Sequence, residues 1–468
     1  MDSQSRAQDS APASRSLTSA TVEPLLTRDF DARPALMHER LRSQHGAVAP
    51  VDLLGVPVWL VLGYAEVLEV LRNDQGVWSK RVTDWRALSE GRIPADWPLL
   101  PTYGGHSCMF QEGRSLTELR AAWSAGLRPF QDRSRPQARL LEAEVRRYAD
   151  ELISVMGEDG GTGWADLSAQ YARPLAILVC NRLIGFDAGN DEMLMDMWRL
   201  VDAGPDAAEA LARLHATLSD VVDAKRRHPG DDLPSAMLAA RPDYTVDELA
   251  HEMILLIGVV GELVGSLICL TAVEVITGNT GARAALAAGM LRETVNRVAT
   301  ANPPYAHLTL RFATADTALG GTHIAAGDPV MLSVSGAHND PRFADAADPS
   351  SVHSSRAHLA WGAGPHHCLG DELATTLVTI AVGRLFERFS GIDLALPADQ
   401  LPWRSSPIVR GLRSLPVRFQ LHEAPDGDDA TDSDASGQRE TPAEASEGSE
   451  RSGSAISRLV RMLLRQGN

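Results

Sequence analysis

The stretch from His358 to Glu372, HLAWGAGPHHCLGDE, gathers the residues most able to do chemistry. A glycine-punctuated loop reaches Cys368 and then enters a helical pattern carried by Leu373, Leu377 and Ile380. At a helix N-terminus, unpaired backbone N–H groups and the positive end of the helix dipole favour a thiolate, which is the form that binds a soft transition metal. Gly362, Gly364 and Gly370 permit tight turns and leave room for a flat macrocycle beside the chain. The arrangement suits a haem iron with cysteine ligation. Two alternatives stand beside it: a buried structural cysteine, and a zinc site made by His358, His366, His367 and Cys368. The zinc reading lacks a second cysteine or histidine cluster at ligand spacing.

The elements that must position this loop are mostly helical. Val48 to Leu62 predicts two short strands broken at Gly55, followed by a helix from Tyr64 to Leu71. Helical patterns then run over Ser115 to Leu127, Pro136 to Met156, Pro174 to Ile184 and Pro205 to Arg227. Met253 to Val273 is apolar on all sides apart from Glu262 and a few small polar residues. Its length would span a membrane. Yet it lacks basic flanks, and Thr245 to Glu248 precedes it as a helix-capping sequence, so a buried core helix is expected. Strand character returns at Thr309 to Ala313 and Ile324 to Ser335, giving a fold that is mainly α with a minor β part.

Composition narrows the function. The 468-residue chain carries a formal net charge of -17, which excludes a chain-wide nucleic-acid footprint, because phosphate binding needs clustered positive charge. Four cysteines, Cys108, Cys180, Cys269 and Cys368, form no disulfide framework by spacing and fit a reducing cytoplasm. Residues 1–20 are polar with no secretory apolar stretch and read as disordered. Residues 423–455 hold ten acids against two arginines and read as a disordered tether. Beyond it, residues 456–466 alternate apolar and arginine positions as a short basic amphipathic helix, suited to a protein groove, a membrane surface, or docking on its own domain.

The sequence Trp361-Gly362-x-Gly364-x-His366-x-Cys368-x-Gly370 resembles the haem-binding signature of the cytochrome P450 superfamily, with tryptophan in place of the usual phenylalanine. The resemblance covers roughly Pro24 to Leu421 and is nearest to soluble actinobacterial members. It implies one large haem domain over residues 21–422, with haem b bound through Cys368. It also gives His366, Arg311 and Arg120 the role of neutralising the haem propionates, since carboxylates near an apolar core need charge-assisted partners. The histidine usual four residues before Arg120 is Leu116 here.

Other departures concern oxygen chemistry. Similar enzymes place an acid and then a threonine in the buried helix, where the hydroxyl holds the water chain that delivers protons. Here Glu262 takes the acid position and Leu263 the threonine position, leaving Glu262, Ser266 or a substrate hydroxyl to serve. The Glu-x-x-Arg pair that ties down the haem core is also altered: Thr294 stands three before Arg297, and Glu293 four before it, so a Glu293–Arg297 pair with Arg356 as third member is expected. Trp361 packs against the thiolate or donates its indole N–H toward the sulfur. Substrate walls would come from Gly258, Gly261 and Leu263, from Ala306, His307 and Leu308, and from the loop around Arg81 to Leu100.

The resemblance implies a cytoplasmic monooxygenase that inserts one atom of dioxygen into a small organic substrate, with electrons from ferredoxin and ferredoxin reductase. Its alternative is a haem-thiolate sensor or assembly component within a small-GTPase signalling module, suggested by the departures at Leu263, Thr294 and Leu116.

Overall fold

The computed structural model describes residues 17, 20–27, 30, 32–103, 107–158, 160–186, 191–202, 206–278, 281–346 and 358–422. Most of the 1–20 segment, the 423–455 tether, the 456–466 helix and Arg356 lie outside the described residues. The chain forms two compact units, each assembled from separate stretches: one from residues 1–117, 299–368 and 404–410, the other from 118–298, 369–403 and 411–468.

The first unit is built on a six-stranded sheet. Val48–Leu53 and Val56–Val61 pair antiparallel in the register Val48↔Val61 to Leu53↔Val56, joined by Leu54 and Gly55, both at positive φ. A two-residue hairpin needs that left-handed turn, and the Asp52 carboxylate steadies it by accepting the Gly55 N–H at 3.1 Å. Val56–Val61 runs parallel to Pro329–Ser333, which pairs antiparallel with His307–Ala313, and Trp78–Ser79 closes the edge. The expected strand over Ile324 to Ser335 is divided: Thr322–Ile324 belongs to a small hairpin, Pro329–Ser333 joins the large sheet, and Val334–His338 is helical. Ser333 causes that switch, because its hydroxyl accepts the Gly336 N–H and caps the helix. Trp85 is fully buried, stacked on Phe312 and edge-on to Trp97.

The second unit is helical, with a three-stranded sheet of Phe389–Leu394, Pro416–Leu421 and Thr162–Asp166 that the sequence pattern did not reveal. A helix at Asp191–Asp202 also escaped the pattern reading. The long helix runs from Val246 to Thr277, and 67% of its most apolar 18-residue window is buried inside the protein. Thr245 and Glu248 form the expected capping box, at 3.1 and 2.8 Å, and Gly278 ends the helix in the left-handed conformation.

Candidate functional site

The Cys368 loop of the first unit is closed on itself by its own backbone. The Cys368 N–H donates to the Trp361 carbonyl at 2.8 Å, His367 N–H to Gly364 at 3.1 Å, and Gly362 N–H to Leu359 at 2.9 Å. Gly362 and Gly364 hold φ values of +73° and +66°. Gly364 has no alternative: a Cβ there would sit 2.3 Å from the Leu71 carbonyl oxygen. His338, a residue the sequence reading missed, anchors the start of the loop. Its Nε2 accepts the Leu359 N–H at 2.8 Å while Nδ1 faces the Thr300 carbonyl at 2.7 Å, so the proton sits on Nδ1. Burial holds the ring neutral, with its pKa lowered to about 4. Cys368 itself is half-buried, three residues before the helix Asp371–Arg388, and none of the four cysteines is in a disulfide.

The same unit buries two cations close to each other. Arg311 is buried on the strand His307–Ala313, and its Nη1 finds no hydrogen-bond partner in the protein. Burial lowers its pKa to about 10. Lys80 is buried too, and its pKa is lowered well below the usual lysine value, first by burial and then by the charge of Arg311. Glu112 is the nearby carboxylate. It already accepts the Ser79 hydroxyl at 3.0 Å and the Lys80 backbone N–H at 2.9 Å, and lies 3.6 Å from Arg81. Two desolvated cations beside one committed carboxylate make a site that favours an added anion. Lysine is rare in this chain, and only that rarity could have drawn attention to Lys80 in the sequence.

In the second unit the long helix opens into one π-helical turn over Val260–Val264, a distortion that often marks functional positions. Glu262 lies within it, buried, with Oε2 at 3.5 Å from Arg173 Nε and Oε1 accepting the Ser266 hydroxyl at 3.3 Å. Arg173 also donates to the Leu412 carbonyl at 3.3 Å. Gly411 backs this cluster, since a Cβ there would meet Ser266 Oγ at 2.3 Å. The salt-bridge partner Arg173 was not foreseen. Leu255, Gly258, Val259 and Leu263 are half-exposed apolar positions on this helix, and a Cβ at Gly258 would meet open space.

A family model described as Cytochrome P450 matches residues 302–402, which include Arg311 and the Cys368 loop. The chain is 30% identical to the 2-hydroxy-5-methyl-1-naphthoate 7-hydroxylase of Streptomyces carzinostaticus, over 81% of this chain and 94% of that protein. It is likewise 30% identical to cytochrome P450 monooxygenase PikC of Streptomyces venezuelae, over 84% of this chain and 93% of that protein. The chain belongs to the cytochrome P450 family. Among solved structures it is similar to CYP154C4 from Streptomyces sp. W2061, with a TM-score of 0.74, 28% identity, and 85% and 98% of the two chains covered.

Membership of the P450 family implies a haem cofactor, and the first unit fits one: a glycine loop holding a cysteine, and a buried guanidinium with an unpaired nitrogen for a propionate. His366 is half-buried in the single 3₁₀ turn of that loop. In the second unit, Gly370 caps the helix after the cysteine, and Arg120 is half-buried on the helix Gly113–Gln131. Leu116 is buried and offers no donor.

The structure corrects several expectations for this P450. The described ion pair of Arg297 is to Glu274 Oε1 at 3.9 Å, whereas Glu293 points to solvent and Thr294 is fully buried. An i,i+4 spacing permitted the Glu293 pair, but the long helix brings a less exposed acid to the same guanidinium. Gly261 does not line open space, since a Cβ there would meet Val201 at 2.5 Å. His307 is fully buried, its Nδ1 at 2.6 Å from the Pro407 carbonyl and its ring stacked on Phe30, so it belongs to the core of the first unit. Ala306 is buried and Leu308 half-buried, while Gly258 and Leu263 remain partly open.

Proposed function

We propose that this P450 is a soluble, cytoplasmic haem b monooxygenase. It would insert one atom of dioxygen into a C–H bond of a small, largely apolar organic molecule, the other atom leaving as water. The two electrons would come from NADPH through a ferredoxin reductase and a ferredoxin. The carrying observation is the Cys368 loop, closed by its amide bond to Trp361 and shaped by two positive-φ glycines. The haem, when bound, supplies oxygen activation.

The protein's part falls to named residues. Cys368 would supply the thiolate, and the backbone bonds that close the loop hold the main chain of that residue in place. Arg311 and Lys80 would neutralise carboxylates of the cofactor from the first unit, with His366 as a third donor. Lys80 then supplies the charge lost where Leu116 stands. Arg120 and Gly370 keep the cofactor-binding roles that the resemblance gives them. Leu263 and Gly258 would present an apolar wall to substrate and exclude water. Glu262 remains the acid available for proton handling, but to pass a proton it must first part from Arg173.

The hydroxylase and monooxygenase names of the relatives support this reading, and the alternative of a sensor within a small-GTPase module draws no support from them. The test is the carbon monoxide difference spectrum of the dithionite-reduced protein beside Cys368→Ser. A thiolate-type Soret band, lost in the variant, is expected. A histidine-type band in the wild type, or no haem at all, would sink the proposal.

A further inference from the structure

Away from the haem-related residues, three side chains of the second unit converge in ligand geometry. His215 lies on the helix Ala207–Arg227, and Asp247 and His251 lie one turn apart at the start of the long helix. One donor atom from each lies within 4.8 Å of the other two. His215 Nε2 is 3.0 Å from Asp247 Oδ1, and His251 Nδ1 is 3.5 Å from Asp247 Oδ2. The imidazole rings stand 4.6 Å apart at a 58° tilt, converging rather than stacking.

One detail separates this cluster from an ordinary surface ion pair. The His215 Nε2 atom is shielded from solvent and makes no hydrogen bond, although a carboxylate oxygen is within reach. The 3.0 Å contact between nitrogen and oxygen is thus close without being aligned as a hydrogen bond, an arrangement that two ligands of one cation also adopt. Zinc bonds of 2.0–2.2 Å place neighbouring tetrahedral ligands about 3.3–3.6 Å apart, close to the 3.0 and 3.5 Å that separate the imidazole nitrogens from the two Asp247 carboxylate oxygens. His251 Nδ1 also lies 2.8 Å from the Asp247 carbonyl oxygen. Ligation through Nε2 would keep that contact as an orienting hydrogen bond, and ligation through Nδ1 would exchange it for the metal.

We propose that His215, Asp247 and His251 form a binding site for one divalent transition-metal ion of the zinc type, with water in its fourth position. Two imidazoles and one carboxylate suit Zn²⁺, whereas Mg²⁺ and Ca²⁺ prefer all-oxygen shells. The side chains are 32%, 62% and 36% exposed, so the cluster sits at the surface with Asp247 as its most open member, although His215 Nε2 itself is shielded. The ion would clip the helix Ala207–Arg227 to the first turns of the long helix and stabilise the folded chain by mass action. It takes no part in oxygen chemistry.

The experiment uses the tag-free, haem-loaded full chain, cleared of metal with EDTA and titrated calorimetrically with ZnCl₂ and separately with MgCl₂. His215→Ala and His251→Ala are run in parallel, with their Soret spectra as the check that each is folded. The expected result is one zinc per wild-type chain, binding at least about tenfold weaker in each variant, and a zinc-induced rise in unfolding temperature that both variants lose. MgCl₂ should give no response. Equal zinc binding by wild type and variants would place the ion on other ligands and overturn the assignment. Absence of zinc uptake by the wild type, or an equal response to magnesium, would overturn it as well.

Discussion

Glu262 Oε2 lies 3.5 Å from Arg173 Nε, and both side chains are almost wholly buried. The pair joins the π turn of the long helix to the helix Arg173–Ile184, with Ser266 donating to Glu262 Oε1 and Arg173 donating to the Leu412 carbonyl. A buried ion pair is retained at a desolvation cost, so removing one partner is far worse than removing both. Arg173→Met should therefore destabilise the protein by about 3–5 kcal/mol in urea unfolding, because it strands the Glu262 carboxylate. The double variant Arg173→Met, Glu262→Gln should recover part of that loss. Equal stability of the single and double variants would rule the pairing out.

The cysteine loop makes a ranked prediction. Gly364→Ala drives a methyl into the Leu71 carbonyl at 2.3 Å and also strains φ, whereas Gly362→Ala meets its nearest atom at 3.6 Å and is strained by φ alone. Gly362→Ala should cost about 1–2 kcal/mol. Gly364→Ala should cost more and lower haem occupancy, read from the Soret-to-protein absorbance ratio. The reverse order would mean that close approach to Leu71 does not shape the loop.

Lys80 and Arg311 should matter for holding haem. A charge-assisted hydrogen bond is worth about 1.5–3 kcal/mol, so Lys80→Met and Arg311→Met should each speed or favour haem transfer to excess apomyoglobin by about tenfold to a hundredfold. Lys225→Met, which removes the other lysine of the chain, is the control. Wild-type retention by Lys80→Met would leave Lys80 as a buried cation without a cofactor role.

Two buried histidines, His38 and His307, and the half-buried His338 weaken the folded state in acid. His307 and His338 have pKa values lowered to about 4, and His38 is lowered well below its usual value, by burial first in each case. Below pH about 6.5 the unfolded chain takes up protons that the folded state refuses. Stability is therefore complete above that pH and falls as pH drops toward 4. By pH 4 the loss is about 3 kcal/mol for each of His307 and His338. His38 makes no hydrogen bond to another protein group through either ring nitrogen. His38→Leu should thus raise stability more at pH 5 than at pH 8, by urea unfolding. An equal change at both values would show that His38 is not held neutral.

Local pattern revealed much of this fold. The hairpin at Leu54 and Gly55, the capping box at Thr245 and Glu248, and the Pro136–Met156 helix all rest on short-range spacing, and each stands where the sequence places it. The three-stranded sheet did not show itself, because its strands Thr162–Asp166, Phe389–Leu394 and Pro416–Leu421 are short and far apart in sequence. The Asp191–Asp202 helix was likewise not apparent from local pattern.

The sequence by itself determined the chemical class. A cysteine between turning glycines at the head of a helix, with Trp361 and His366 at fixed intervals, is a local pattern, and membership of the P450 family follows from it together with the relatives. Tertiary structure decided the partners. Arg173 meets Glu262 across 89 positions of chain, His338 reaches forward to Leu359, and among the described residues Glu274 rather than Glu293 comes within ion-pair distance of Arg297. Spacing along one helix can say which residues share a face, but the ion pair that forms also depends on which acid the packing of other elements brings near and shields from water. That packing is set by burial summed over the whole unit, and no short stretch of sequence contains it.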